Sequence, residues 1–227
     1  MPKLPRTRNA TFDEIQRSLR DAGDHLGAMM TFEAEAAAAT TGVAQDLEAN
    51  SEAHRKFVRE FRAYLSAAAK AWDYMNQGSM AAGTRRWLDQ RLSSNLCKFH
   101  RELENQAAHD YRIEPGVRQR VTFESDPVTP MRQTTFGPMP VEMKVTGFKG
   151  VSYHHNPRSL EPDVAPLCES VQKHYPGETI VELAARYHDI LQRTFRAGEQ
   201  KCKFGDSEPP AHALPPTVLD AQVSVEG

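Results

Sequence analysis

Large apolar residues recur every three or four positions along two stretches of the chain, which is the spacing of one face of an α-helix. The first stretch covers about 51–77 and the second begins at 87. Gly78-Ser79 separates them and Pro115-Gly116 follows the second, so the pattern predicts two long antiparallel helices joined by a short turn. Their apolar positions are Phe57, Phe61, Leu65, Ala68, Trp72 and Met75, then Trp87, Leu88, Leu92, Leu96, Phe99 and Leu103.

The first 50 residues have a weaker helical pattern. Thr11 and Glu14 have the spacing of a capping box, so a short helix is expected to begin there and to end near Ala22. The alanine-rich stretch 32–49 favours helix by propensity but has few large apolar side chains, so it is expected to pack peripherally. We therefore interpret residues 1–50 as an N-terminal helical extension.

The hydrophobic period changes after the second helix. Between 117 and 156, Val, Thr, Phe and Tyr alternate with polar residues, and Pro and Gly interrupt the runs. This is typical of short strands, so we expect an antiparallel insert of two or three strands. In particular, Val141, Met143 and Val145 alternate with polar neighbours.

Helical spacing returns over 163–175 and 179–196, with Pro176-Gly177 as the break between the two segments. The chain is therefore predicted to be mainly α, with one domain over 51–200 that contains the small antiparallel β insert. Little periodicity remains beyond that, and 201–227 is predicted to be a disordered tail.

Charge and hydropathy restrict the partners. The formal net charge is -2 at pH 7, so the whole molecule is not the basic body of an avid, nonspecific nucleic-acid binder. The segment 51–115 contains 11 Lys and Arg but only 8 Asp and Glu. This excess of positive charge could favour binding to a phosphate backbone, but an ordinary solvated helix face explains it equally well. No apolar run is long enough to span a membrane and no signal-peptide core follows the N-terminus, so a soluble cytoplasmic protein without membrane contact is expected.

The metal-binding residue types lack the spacing of metal sites, and we expect neither a metal nor a cofactor. The three cysteines form no CxxC motif, and the histidines lack i, i+4 spacing and acidic companions. The common nucleotide and hydrolase signatures GxxxxGK[ST], GxGxxG, GxSxG and HExxH do not occur. The residues concerned are Cys97, Cys168 and Cys202, and His154, His155, His174 and His188.

Several chemically capable side chains fall together at the end of the second predicted helix, where Cys97–Tyr111 reads CKFHRELENQAAHDY. Asn105 lies four residues before His109 and so shares its helix face. An imidazole there can act as an acid or base near neutral pH, but it also stabilises a helix C-terminus as a partial cation. Both interpretations stay open for His109.

The order of elements and four short motifs resemble HEPN-like domains, the α-helical bundles named for higher eukaryotes and prokaryotes nucleotide binding. Residues 61–68 fit the pattern FRxxLxxA of the first core helix, and Trp87 stands where a Trp begins the second. Glu104–His109 corresponds to the family segment in which an Arg, often followed by Asn, precedes a His. Tyr153 followed by 163–168 resembles the return from the insert to the closing helices.

The resemblance implies metal-independent RNA cleavage at a dimer interface, with His109 as acid or base and Asn105 orienting the substrate or the imidazole. The family's arginine, which holds the phosphate, is replaced here by Glu104. Arg101 or Arg112 would then have to supply that charge. Tyr111 completes a His-x-Tyr arrangement in which, in some HEPN toxins, a partner nucleotidyltransferase modifies the tyrosine.

Two functions follow from this resemblance. The preferred one is a degenerate, non-catalytic RNA- or protein-binding accessory, because Glu104 would repel the scissile phosphate. The alternative is a metal-independent endoribonuclease of a defence or toxin–antitoxin system that uses His109. Both imply a homodimer, and RNA or a partner protein such as a nucleotidyltransferase or an antitoxin as the ligand.

Overall fold

The computed structural model describes residues 10–42, 47–108, 115–125, 131–134, 137–140, 143–201 and 203–205. The fold is mainly helical with a small antiparallel β insert, as predicted. None of the described helices is long and apolar enough to cross a membrane. The helices are α1 (Ala10–Ala39), α2 (Leu47–Ala81), α3 (Arg85–Arg91), α4 (Asn95–Ala108), α5 (Ala165–His174) and α6 (Ile180–Gln200); the strands are β1 (Thr41–Gly42), β2 (Gly116–Ser125), β3 (Met131–Thr134), β4 (Gly137–Pro140) and β5 (Met143–His154).

The N-terminal region is part of the core, which corrects the prediction of a short helix followed by a peripheral segment. Helix α1 continues without a break past Ala22, and Met29 and Ala36 on its inner face are fully buried. Gly23 and Gly27 weaken the helix locally, but packing along its whole length outweighs their low propensity. Thr11, the expected N-cap, lies one residue inside the helix.

The long antiparallel pair consists of α1 and α2, not of the two helices that the pattern predicted. Thr11 lies beside Gly78 and His25 beside Glu60, which fixes the opposite directions of the two helices. Helix α2 runs through Gly78, which lies in a close contact instead of breaking the helix.

The second predicted helix is divided into α3 and α4 by a turn at Leu92–Ser94. The hydroxyl oxygen of Ser94 accepts a hydrogen bond of 3.2 Å from the backbone N–H of Cys97 and so caps the start of α4. A serine pair can interrupt a helix without disturbing the apolar spacing on either side, so periodicity alone did not reveal the break.

The β insert is antiparallel, as expected. β2 pairs with β5 from Gly116 opposite His154 to Ser125 opposite Met143, and β1 pairs with the other edge of β5. β3 and β4 form a separate two-stranded sheet. Val141 lies outside the described residues. The end of β5 reaches the helical core, where Tyr153 is fully buried and stacks on Phe57 with the ring centroids 4.1 Å apart.

The two closing helices form where they were predicted. Thr179 caps α6 and completes a capping box with Glu182, each side chain bonding the other residue's backbone N–H. Gly177 has a φ of 82°, a left-handed conformation that suits glycine at the turn between α5 and α6.

Phe204 packs into the bundle just after α6, inside the segment that was predicted to be a disordered tail. Its ring lies 5.9 Å from Phe12, 6.0 Å from Trp87 and 6.4 Å from Phe195, measured between centroids. The backbone N–H groups of the residues on either side of it donate to the carbonyl groups of Gly198 and Gly78, both at 2.8 Å. The described part of the predicted tail is therefore packed, and 206–227 lie outside the described residues.

Candidate functional site

Helix α4 separates its residues into a buried face and a polar edge. Leu96, Phe99 and Leu103 point into the core, whereas Arg101, Glu104 and Asn105 lie at the boundary with solvent. Three of the predicted site residues therefore lie on the rigid, partly exposed edge of this helix. His109, Tyr111 and Arg112 lie outside the described residues.

Two carboxylates hold the guanidinium of Arg101. Its Nη2 donates to Oδ1 of Asp73 on α2 at 2.9 Å, and its Nη1 is 3.6 Å from Oε2 of Glu104. The Arg101 side chain is 28% exposed, and its Nη1 is shielded from solvent. The three groups carry a formal charge of -1, so this edge does not offer a free cation to a phosphate.

Asn105 faces a different partner. Its Nδ2 donates to Oε2 of Glu102 at 3.1 Å, on the exposed side of the helix. Glu102 and Glu104 are two residues apart and bind different groups, as expected for opposite sides of a helix. The structure therefore brings Arg101 and Glu104 together and gives Asn105 a separate contact.

A cleft of about 360 Å³ opens beside Arg101, between α2, α3 and α4. Its apolar wall comes from one aromatic and two leucine side chains, and its polar wall contains two cations and two carboxylates. Because these charges cancel, the cleft has no electrostatic preference for an anion. The lining residues are Trp72, Leu88, Asp89, Leu92, Ser93, Lys98, Arg101 and Glu102.

Two buried histidines lie on the inner side of α4, one in the helix itself and one packed near it, and the sequence interpretation missed their role. His100 stacks on Tyr187 with the ring centroids 4.5 Å apart, and its Nδ1 lies 3.0 Å from the carbonyl oxygen of Leu96. Burial lowers the pKa of His100 to about 4. Its spacing from Leu96 and Leu103 places it on the apolar face of the helix, which is the signal that could have identified it.

His155 is the second of these histidines, and its ring centroid is 6.3 Å from that of His100. Burial, and secondly the neighbouring His100, hold the pKa of His155 well below its ordinary value. Both imidazoles are therefore neutral at pH 7. They contribute to the core as aromatic rings, and His155 forms a T-shaped pair with Phe99, with the ring centroids 4.8 Å apart.

Gln106 is a further polar residue on the inner face of α4 that the sequence interpretation missed. Its Nε2 donates to the carbonyl oxygen of Ser159 at 3.2 Å, and its Oε1 accepts from the backbone N–H of Glu161 at 3.3 Å. The side chain is 2% exposed. It therefore fixes the segment after β5 against α4, and no periodicity in the sequence could have predicted that partner.

The remaining histidines make unrelated contacts. His154 lies between Ser152 and the carbonyl oxygen of Glu178, whereas His188 contacts Gln192. His174 is exposed at the end of α5. Within the described ranges, no three His, Cys, Asp or Glu side chains are close enough to hold a metal ion.

Cys97 and Cys168 are free and buried. Burial raises the pKa of both thiols, in the case of Cys168 to about 12, so neither is an activated nucleophile. Cys202 lies outside the described residues.

Comparison with known proteins gave no match to a protein-family model, a curated protein or a solved structure. The resemblance to HEPN-like domains therefore rests on the short sequence motifs, and it stays a prediction.

Proposed function

We propose that this chain is a non-catalytic, HEPN-like helical module that binds RNA or a partner protein. The observation that supports this most strongly is the engagement of Arg101 by Asp73 and Glu104. Arg101 is the described arginine that would have to replace the family's phosphate-binding arginine. Its charge is already neutralised by groups of its own bundle.

RNA cleavage needs a cation where negative charge develops on the phosphate. Removing one such preorganised donor from an enzyme typically costs about 3 kcal/mol of transition-state stabilisation. Here a phosphate that approached Arg101 would also approach the carboxylates of Asp73 and Glu104. The local charge therefore opposes the reaction, which supports a non-catalytic module.

The residues around this edge hold α4 rigidly in place. Gln106 holds the segment that follows β5, and the neutral His100 and His155 fill the space beneath α4. A helix that is fixed in this way is suited to presenting a surface of constant shape to a ligand. We expect the module to be a cytoplasmic homodimer whose protein ligand is a nucleotidyltransferase or an antitoxin.

Incubation of the purified protein with total cellular RNA in the presence of EDTA tests the absence of catalysis. We expect no cleavage by the wild type or by His109→Ala. We also expect none by the double variant Asp73→Asn, Glu104→Gln, which removes the two negative charges that bind Arg101. Glu104→Arg restores the family's arginine and is the variant in which cleavage is expected if the site is merely degenerate.

Cleavage by the wild type that disappears in His109→Ala would refute the non-catalytic function. It would establish instead the alternative, a metal-independent endoribonuclease. Light scattering measures the oligomeric state in the same samples, and a monomer at micromolar concentration would contradict the expected homodimer.

A further inference from the structure

Four cations form a line along the exposed face of α2. Arg55, Arg59, Arg62 and Lys70 are all exposed, and we call them the α2 basic ridge. At 100° and 1.5 Å per residue they lie within a sector of about 80° and extend over about 22 Å. Ser66, between the last two, is also exposed and uncharged.

Nearby carboxylates neutralise little of this charge. Arg62 and Lys70 make no ion pair with any residue in the described part of the chain. Arg59 contacts Glu60 at 3.0 Å, but its own side chain is 71% exposed, while Glu60 is mostly buried and also binds His25. Two carboxylates lie at the ends of the ridge. Glu52 is paired with Lys56 and also lies near Arg55, and Asp73, three residues after Lys70, binds Arg101.

We propose that the α2 basic ridge binds the phosphate backbone of single-stranded RNA, an assignment that rests on the proposed binding function. A row of cations over about 22 Å can contact several successive phosphates of one strand. The spacing is uneven, with a wide interval between Arg62 and Lys70. A flexible single strand can adjust its phosphates to such spacing, whereas a duplex holds them at fixed positions.

The composition of the ridge argues against the two other common partners of a basic surface, an acidic protein and a membrane. The exposed positions from 55 to 70 include no aromatic or large apolar side chain. The arginines that contribute strongly to protein interfaces usually lie among aromatic anchors in desolvated pockets, and membrane-bound helices insert apolar side chains into the lipid. The absence of aromatic side chains also removes base stacking, so binding is expected to depend on the backbone and to be independent of sequence.

Fluorescence anisotropy with a labelled 20-nucleotide oligo(U) RNA, measured between 50 and 200 mM salt, tests this assignment. Four phosphate contacts predict a slope of log K against log salt of about -3. The triple variant Arg55→Gln, Arg62→Gln, Lys70→Gln loses three of the four contacts, so it is expected to bind roughly several hundredfold more weakly at 50 mM salt, with a slope of about -1. A gel of each sample shows whether the probe stays intact.

The matched control removes the same charge from elsewhere on the surface. Arg158, Lys173 and Arg196 are exposed and lie on three other segments of the chain. Their triple change to Gln is expected to leave the affinity within about twofold and the slope unchanged, because salt-dependent binding follows local phosphate contacts. Both triple variants alter exposed side chains, so equal urea midpoints should show that their folds are intact.

Three results would overturn the assignment: no RNA binding by the wild type at 50 mM salt, equal losses in the two triple variants, or equally tight binding of a polyglutamate peptide. The last would identify an acidic protein as the partner. None of them would affect the absence of catalysis. Conversely, cleavage of the probe would refute the non-catalytic function and would leave the ridge assignment to the comparison of the two triple variants.

Discussion

Gly198 lies in the last turn of α6, and we expect that replacing it by any residue with a side chain destabilises the fold. A Cβ atom at this position would lie 2.2 Å from Cε2 and 2.6 Å from Cζ of Phe204. Ordinary contacts of this kind are longer than 3.4 Å, so Gly198→Ala must displace the ring or move the helix. The replacement of glycine by alanine in a helix otherwise stabilises it, which makes the sign of the effect diagnostic.

The size of the effect follows from these two opposing contributions. Losing the packing of a buried phenylalanine costs about 3–5 kcal/mol, and the higher helix propensity of alanine returns about 1 kcal/mol. Gly198→Ala should therefore lower the free energy of unfolding by about 2–4 kcal/mol. For a chain of this size, that corresponds to a fall in Tm of roughly 4–16 °C.

Gly27 supplies the matched control, because it is also inside a helix but no described atom beyond its own stretch of helix lies within 4 Å of its expected Cβ position. Gly27→Ala should raise the free energy of unfolding by about 1 kcal/mol. Urea unfolding followed by circular dichroism measures both variants. In a Phe204→Ala background the obstacle is gone, so Gly198→Ala should there become stabilising by about 1 kcal/mol.

Two results would refute this reasoning. One is a Gly198→Ala variant as stable as the wild type, which would mean that Phe204 does not occupy the position described. The other is an equal destabilisation in the Phe204→Ala background, which would place the strain in α6 itself.

The buried histidines predict a pH dependence. The folded pKa values of His100 and His155 lie below 6.5, and burial lowers those of His154 and His188 as well, so the unfolded chain binds more protons and stability should fall as pH decreases from 6.5. In urea titrations, His100 and His155 together should contribute up to about 2.7 kcal/mol per pH unit to the slope. His100→Asn should lower the slope by up to about 1.4 kcal/mol per pH unit, and an unchanged slope would contradict its neutral state. Gln106→Ala should lower the free energy of unfolding by about 2 kcal/mol, because it leaves the buried backbone groups of Ser159 and Glu161 unpaired. An unchanged rate of hydrogen exchange at the Glu161 amide would contradict this.

The sequence predicted those parts of the fold that depend on local patterns. The Pro176-Gly177 break with the apolar spacing after it, and the alternation before Tyr153, located α6 and β5, because each signal lies within a short stretch of consecutive residues. The continuation of α1 and of α2 through their glycines could not be predicted in this way. At Gly78 the absence of a side chain permits contact with Phe204, more than a hundred positions later in the chain.

The same distinction applies to the candidate site. Periodicity placed Arg101, Glu104 and Asn105 in one predicted helix, and all three lie in α4. It could not show that Asp73, 28 positions earlier, binds Arg101, because that contact depends on how α2 packs against α4. The electrostatic character of the site therefore depends on the packing of the two helices, which no local pattern in the sequence encodes.

The position of Phe204 has a consequence for synthesis on the ribosome. Its ring contacts Phe12, Trp87 and Phe195, so it completes an aromatic cluster that begins in the first helix. At 5–20 residues per second, the 165 residues between the end of α1 and Phe204 take roughly 8–33 s to translate. During that interval the inner face of the nascent α1 lacks its last partner, and a chaperone that binds exposed aromatic side chains has time to protect it.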